Sequence, residues 1–274
     1  MANELVLAKR SEIIALNPDD PRVEGLLYNL KQGGGLSLAD IPKIKNPSGG
    51  SLMFELNIPS SEPEYVKELV GIILFQSDRR TLWADKSIGS GEKPVCESKD
   101  LIKGNLRKSA DGGLDIPDKI LKIAMPGGEN GECVGCPFAE FDTAVDGNGK
   151  PARGQACSQS KVIFFLRTGD VLPVQITVPS GSLTALRQSY SKFPVRVDKC
   201  VMRVYLVKEK SKTGVDFAQY RFEYIAALDK DTIAAVDEYG KMLTKVFESA
   251  VASRDNARSK PPRGEPQGKT VDTF

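Results

Sequence analysis

Four of the five cysteines have a spacing that could bind a metal ion. Cys96, Cys133, Cys136 and Cys157 follow the pattern C-x36-C-x2-C-x20-C. Between Cys133 and Cys136 lie two residues, one of them Gly135, so that both sulfurs can face one ion while nearby backbone N–H groups point at them. Four thiolates at about 2.3 Å around a tetrahedral ion are the usual ligands of structural Zn²⁺. The sequence therefore predicts a zinc site formed by these four cysteines.

Other chemistries for these cysteines are less favoured. Thiolate ligands in a chain without histidine favour zinc over magnesium or calcium, with an iron–sulfur cluster as the minor alternative. A disulfide framework does not suit a cytosolic chain with an odd number of cysteines, and a redox Cys-x-x-Cys needs a thioredoxin-like βαβ setting that is missing here. Four thiolates leave no open position for an activated water, so the predicted zinc is structural. Cys200 is predicted to be a core residue.

The composition argues against an enzyme. The chain has no histidine, which removes the usual general base, the Ser-His and Cys-His pairs and the HExxH metal sites. Asp, Glu, Lys and Tyr could still transfer protons. Asp142 and Asp146 could hold Mg²⁺ in an enzyme acting on nucleic acid, but they lie in a Gly-rich loop where solvation explains them better. We therefore predict no catalytic residues.

The charge is unevenly distributed in a chain of 274 residues whose formal net charge is +2. Residues 160–229 contain 11 Lys and Arg against 6 Asp and Glu, whereas residues 51–159 contain 13 against 17. The basic segment could follow a polyanion, and chance clustering of solvated side chains explains it equally well. The most apolar run, residues 65–76, is too short for a membrane span, and the N-terminus lacks the features of a secretion signal. We expect a cytoplasmic protein with no membrane partner.

Hydrophobic periodicity predicts a chain that is mainly strands after residue 35. The predicted strands are residues 51–57, 161–167, 171–178, 199–209 and 217–228. Residues 65–75 mix a helical turn with a β-branched run, and residues 78–84 form a return strand. Helices are predicted at residues 4–16, 21–30 and 231–252, and at 179–193 with Ser180 and Ser182 as candidate caps.

These elements suggest a mainly β fold with α additions (α+β), namely an OB-like antiparallel Greek-key barrel. We predict a helical N-terminal segment at residues 1–35, the OB-like domain at 36–252 and a disordered tail at 253–274. Within the domain, residues 85–159 form an insertion rich in Gly, Lys, Asp and Pro that cannot bury a normal core. Zinc is expected to fold this insertion against the barrel.

Motifs spread over residues 38–228 resemble, in their order, a family found in bacteriophages and mobile elements. They include IPKIKNPSGGSLMFEL, EYVKELVGIILFQSDRRTLW, CVGCPFAEF, GQACSQSKVIFFLRTGDVLPVQITVPSGSL and VDFAQYRFE. The family typically shows C-x-S, C-x-x-C-P and a G-x-x-C before a strand, so its pattern carries over to all four cysteines. The resemblance implies a zinc-bearing, OB-type single-stranded DNA-binding protein similar to replication and recombination proteins of large phages. The C-terminus departs from the acidic tail common in single-strand binders, since residues 251–274 carry a net charge of +2.

A surface for single-stranded DNA needs cations for phosphates and aromatic faces for bases. Alternation along residues 199–209 and 217–225 turns Arg203, Tyr205 and Arg221 outward on neighbouring strands. The other candidate contacts are cations and one tryptophan near strand ends or in a Gly/Pro turn: Lys43, Lys45, Arg79, Arg80, Trp83, Lys161 and Arg167. Core packing is the alternative explanation for the aromatic residues, and solvation is the alternative for each cation.

We therefore predict a non-catalytic single-stranded DNA-binding protein that acts in phage or mobile-element DNA replication or recombination. Its mechanism would be counterion release plus base stacking, so its affinity should fall steeply with salt. Replication or recombination proteins are the further partners this role implies, and the host cytoplasm is its expected compartment. The alternative is a zinc-stapled protein-interaction or host-defence-modulating module whose β-face meets another protein.

Overall fold

The computed structural model describes residues 7–8, 13–16, 20–32, 40–47, 50–59, 61–84, 94–109, 111–127, 131–145, 151–152, 154–211 and 214–258. The strands are Leu7–Ala8 (β1), Lys43–Lys45 (β2), Phe54–Asn57 (β3), Glu64–Val66 (β4), Glu68–Leu82 (β5), Cys96–Ser98 (β6), Asn105–Leu106 (β7), Ala144–Val145 (β8), Pro151–Ala152 (β9), Cys157–Arg167 (β10), Val174–Pro179 (β11), Cys200–Lys210 (β12) and Asp216–Leu228 (β13). The helices are Pro21–Gln32 (α1), Asp118–Leu121 (α2), Ser180–Tyr190 (α3) and Lys230–Arg258 (α4). Short 3₁₀ turns occur at Ile14–Leu16, Pro137–Ala139 and Val197–Lys199.

Eleven of these strands form one curled sheet. Its order is β1-β13-β12-β5-β10-β11-β2-β3-β4, with β6 on β5 and β7 on β6, while β8 pairs with β9. The pairs β1/β13 and β11/β2 are parallel, so the sheet is mixed and not wholly antiparallel as predicted. The sheet curls far enough that Phe54 of β3 packs on Tyr220 of β13, with ring centroids 5.6 Å apart. The predicted mainly β, barrel-like α+β fold is confirmed at this level.

Helix α3 fills the opening of this half-barrel. It follows β11 directly and lies along the edge of β13, where the Tyr220 N–H donates to Ser182 Oγ at 3.1 Å and Gln219 Nε2 donates to the Gly181 carbonyl at 3.1 Å. Ser182 is therefore not a helix cap, and Pro179 precedes the helix without a side-chain capping bond. Leu186 points inward and is fully buried.

Two apolar layers cover the two faces of the sheet. The inner layer lies between the curled sheet and α3, and it contains Cys200, Met202, Val204 and Leu206 of β12 with Tyr220 and Phe222 of β13. The outer layer is covered by α4 and by the N-terminal segment, and its buried members include Ile13, Leu16, Ile72, Leu166, Val236, Tyr239 and Leu243. Cys200 is fully buried, so its predicted core position is confirmed.

The insertion has a small apolar core of its own. Leu82, Val95, Ile120 and Phe138 are buried there together with three of the four predicted zinc ligands, Cys96, Cys136 and Cys157. Composition underestimated this core because the apolar residues are few and far apart in the sequence. In the part of the chain that is described, no helix combines the length and the apolarity needed to cross a membrane.

Three predicted elements differ from the structure. The helical turn at residues 65–75 and the return strand at 78–84 are wrong, because residues 68–82 form the single strand β5. Within the predicted helix 4–16, residues 7–8 pair with β13 and residues 14–16 form a 3₁₀ turn. Packing of Ile13 and Leu16 against the sheet outweighs helical periodicity here. Helix α4 runs through Arg258, and the rest of the predicted tail lies outside the described residues.

Gly71 allows the central strands to pack closely. A Cβ atom on Gly71 would lie 2.0 Å from the Leu166 carbonyl oxygen of β10, which is backbone and cannot move aside cheaply. In contrast, a Cβ atom on Gly25 of α1 would meet nothing within 4 Å. The packing therefore requires glycine at position 71 but leaves room for a larger residue at position 25.

We expect Gly71→Ala to lower the free energy of unfolding by about 2 kcal/mol or more, because the added methyl group overpacks the centre of the sheet. The matched Gly25→Ala should be neutral or stabilise by about 0.5–1 kcal/mol, since alanine is the better helix former. Urea unfolding of both variants measures the difference. Equal midpoints for the two would contradict this description of β5.

Candidate metal centre and nucleic-acid interface

The end of β5 brings Cys96 and Cys157 to one place. Leu82 is the register partner of Cys96 on β6 and also of Cys157 on β10. Residues in register on neighbouring strands project to the same face, so these two cysteines flank Leu82 on one face of the sheet. Both side chains are buried.

The other two cysteines come from a tight loop that folds over this face. The Cys133 N–H donates to the Ile102 carbonyl at 2.8 Å, and the Gly127 N–H donates to Cys136 Sγ at 3.2 Å. Gly135, between the two cysteines, has a φ of 75°, which favours glycine. A backbone N–H therefore points at one of these sulfurs, and the zinc knuckle stays a prediction.

All four cysteines line one small cavity of about 10 Å³, together with Arg80, Leu82 and Gly104. That volume suits a single small occupant. A Cβ atom on Gly104 would lie 2.7 Å from Cys96 Sγ, so glycine keeps this side of the cavity open. In the described residues, no group of three or more Cys, Asp or Glu side chains is arranged as a metal site. The donor set is nevertheless the one that zinc prefers, namely thiols alone around one cavity.

Burial keeps the thiols of Cys96 and Cys157 protonated. It raises the pKa of Cys96 to about 11, and the neighbouring Cys133 and Cys136 add to the effect. Burial likewise raises the pKa of Cys157 to about 12, with further increases from Cys96 and Cys136 that Arg80 partly opposes. Because metals bind thiolates, an ion entering this cavity must displace these protons, and its affinity must rise with pH.

The predicted nucleic-acid contacts on β5 and β10 lie close to this cavity or form ion pairs with carboxylates. Arg80 lines the cavity and its Nη1 donates to the Cys157 carbonyl at 3.5 Å. Arg79 pairs with Glu97 at 2.8 Å and Lys161 pairs with Asp78 at 3.0 Å. Trp83 follows β5 and is half-buried.

Arg167 is held within the fold by carboxylates. Its guanidinium donates to both carboxylate oxygens of Glu64, at 2.9 and 3.0 Å, and also bonds to Asp170. Burial acts to lower the pKa of Arg167, but the hydrogen bonds to Glu64 and Asp170 outweigh it and the pKa is raised. Since Glu64 belongs to β4, this network holds that outer strand to the centre of the sheet.

The two predicted lysines of β2 lie at another place on the sheet. Lys45 pairs with Glu55 of β3 at 3.1 Å, and Lys43 is exposed. Neither lies among the residues that line the cysteine cavity or the grooves described below. The ten predicted contacts therefore do not form one continuous patch.

Arg203, Tyr205 and Arg221 do come together on the outward face of β12 and β13. Tyr205 is the register partner of Arg221, and the Arg203 guanidinium carbon lies 5.4 Å from the centroid of the Tyr205 ring. Sequence reasoning missed that these arginines are paired with glutamates. Arg203 pairs with Glu223 at 2.5 Å and with Glu68 at 3.5 Å, and Arg221 pairs with Glu209 at 2.7 Å.

Two grooves lie on either side of Tyr205, and this residue lines both. The Lys67 groove, of about 510 Å³, is formed by Leu52, Met53, Lys67, Glu68, Arg203, Tyr205 and Leu206. The Lys192 groove, of about 430 Å³, is formed by α3 and the segment after it together with β12 and β13, through Ala185, Gln188, Ser189, Lys192, Phe193, Tyr205, Arg221, Phe222, Glu223 and Tyr224. The sequence analysis did not select Lys67 or Lys192 as contacts.

Comparison of this chain with family models, with curated proteins and with solved structures finds no match.

The cavity predicts an order of reactivity among the cysteines. In reduced, chelator-treated protein at pH 8, Cys133 should react with iodoacetamide first, because it is half-exposed whereas the other four cysteines are buried. Cys96, Cys157 and Cys200 should react slowest, since burial raises their pKa values to about 11, 12 and 12. Peptide mass spectrometry over time measures the order. Alkylation of Cys157 as fast as Cys133 would show that the cavity is open.

Proposed function

We propose that this protein binds single-stranded nucleic acid without catalysis, with DNA as the form that the family resemblance implies. The observation that carries the proposal is Tyr205, which lies on the outward sheet face between Arg203 and Arg221. An aromatic ring offers a stacking face to any base, and flanking cations attract phosphates. Counterion release then supplies affinity that does not depend on base sequence. Replication or recombination of a phage or mobile element would use such binding.

The glutamates beside these arginines are compatible with this function. Arg203 and Glu223 are about equally exposed, at 40% and 47% of their side-chain surface, and exposed ion pairs contribute little to stability. A phosphate can therefore replace a glutamate at small cost to the fold. Glu223 and Glu68 also hold the Arg203 guanidinium beside the ring, so this arginine is already positioned when a strand arrives.

We also propose that the cysteine cavity holds a structural zinc ion, with Cys96, Cys133, Cys136 and Cys157 as its ligands. A four-thiolate ion would add to the weak apolar core of the insertion and fix it against the end of β5. The cavity also lies on the strand that reaches the Tyr205 face at its other end. Zinc would thus stabilise the sheet that carries the nucleic-acid surface.

A protein-binding role is the second candidate, and the surface of the insertion favours it. Val134 in the cysteine loop is 81% exposed, Phe141 is 71% exposed and Ile102 is 66% exposed. Large apolar side chains exposed on one small unit are typical of interaction surfaces. On this hypothesis the zinc-stabilised insertion meets another protein, and nucleic acid does not bind even at low salt.

Binding to oligonucleotides tests the first candidate. Wild-type protein should bind fluorescent single-stranded oligonucleotides more tightly than duplexes in an anisotropy titration, and the affinity should fall as salt is raised. Tyr205→Ala should weaken binding by roughly 5- to 150-fold, which corresponds to the loss of about 1–3 kcal/mol of stacking on one base. Tyr205→Phe keeps the ring and serves as the matched control. Preference for duplex, or no binding to either form at low salt, would overturn the proposal.

Metal analysis tests the zinc proposal separately. Protein purified under reducing conditions should contain about one zinc ion per chain, and zinc should protect Cys133 from alkylation. Cys157→Ser should lose the ion and destabilise the insertion, whereas Cys200→Ala should keep it because Cys200 lies in the inner core of the sheet. Wild-type protein without zinc, or zinc retained by Cys157→Ser, would contradict the assignment.

A further inference from the structure

The two grooves beside Tyr205 have a shared charge pattern. Lys67 and Arg203 face Glu68 in the Lys67 groove, and Lys192 and Arg221 face Glu223 in the Lys192 groove. With Glu209, the partner of Arg221, the two grooves together have four cations against three carboxylates, and this excess of positive charge attracts anions. The two sides of the ring offer matching environments to a negatively charged chain.

The lysines differ from the arginines in these grooves. Both arginines are paired with glutamates, at 2.5 and 2.7 Å. Lys67 and Lys192 are exposed, and neither forms an ion pair with a residue in the described part of the chain. An anion can therefore bind either lysine without displacing a carboxylate. These two side chains are the cations most available to phosphate.

The grooves also suit bases. Their volumes, about 510 and 430 Å³, lie within the range of small-molecule sites. Tyr205 separates them, and the Lys192 groove adds Phe193 and the polar side chains of Gln188 and Ser189. The hydroxyl of Tyr224, which also lines this groove, is buried without a hydrogen-bond partner in the described structure. The Lys192 groove therefore offers both rings and polar groups to a base.

We propose that one single-stranded oligonucleotide crosses Tyr205, with nucleotides in both grooves and with Lys67 and Lys192 binding phosphates on opposite sides of the ring. This inference rests on the proposed nucleic-acid function and assigns it a path and two phosphate contacts. An acidic peptide could satisfy the two lysines as well. Nucleic acid is favoured because the residue shared by the two grooves is a half-buried aromatic ring on the outward sheet face, with the Arg203 guanidinium beside it.

The test measures the salt dependence of affinity for an oligothymidine of about ten nucleotides, which falls within the usual site size of single-strand binders. Lys67→Ala and Lys192→Ala should each make the slope of log K against log salt shallower by about 0.7 and weaken binding roughly fivefold near 0.1 M salt. The double variant should show the sum of both effects, because the lysines lie in separate grooves. Lys67→Arg and Lys192→Arg keep a cation in each groove, so both variants should retain the slope and the affinity of the wild-type protein.

Lys241→Ala is the matched control, because Lys241 is exposed on α4 and lines neither groove. If wild-type protein binds but Lys67→Ala and Lys192→Ala behave like Lys241→Ala, the path is wrong while the proposed function stands. If wild-type protein does not bind, the function itself fails. Polyglutamate that competes as well as the oligothymidine and depends equally on both lysines would overturn the assignment to nucleic acid.

Discussion

The antiparallel pairing of β5 with β10 is the interaction on which the rest of the structure depends. It runs from Gly71 to Leu82 and is interrupted by one bulge, between Phe164 and Phe165. At its start β5 also pairs with β12, where Glu68 is the register partner of Tyr205. At its end β5 pairs with β6, where Leu82 is opposite Cys96. One strand therefore supports both candidate sites, and disorder at either end of it would be transmitted to the sheet that carries the other.

The sequence predicted well those strands that have one buried and one open face. In β12, the alternation that buries Met202 and Val204 also turns Tyr205 outward, as expected for a half-buried strand. The prediction failed for β5, because that strand is buried on both faces near Ile72 and Ile73 and shows no alternation of apolar and polar residues there. A continuous apolar run of this kind can be read as a helix or as a strand.

The two candidate sites also differ in how well the sequence predicted them. Cysteine spacing identified four thiols that the structure brings to one cavity, because that pattern depends on local chain geometry and residue chemistry. The carboxylate partner of Arg203 on β5 could not be predicted, since Glu68 and Arg203 are 135 residues apart in the chain. For the same reason Arg167 was selected as a surface contact, although Glu64, 103 residues away, makes it part of the framework. Ion pairs between residues far apart in the chain decide whether a cation is available to a ligand, and a single sequence does not show such pairs.

The position of α3 along β13 has a consequence for how copies of this protein meet. The unpaired edge of a strand is a template for intermolecular strand addition and so for aggregation. Here the side chain of Ser182 accepts the backbone N–H of Tyr220, and the side-chain amide of Gln219 donates to the Gly181 carbonyl beside it. The helix thus occupies a backbone hydrogen-bonding position that a foreign strand would need. At high protein concentration, this seam would resist fibre-like stacking between neighbouring molecules.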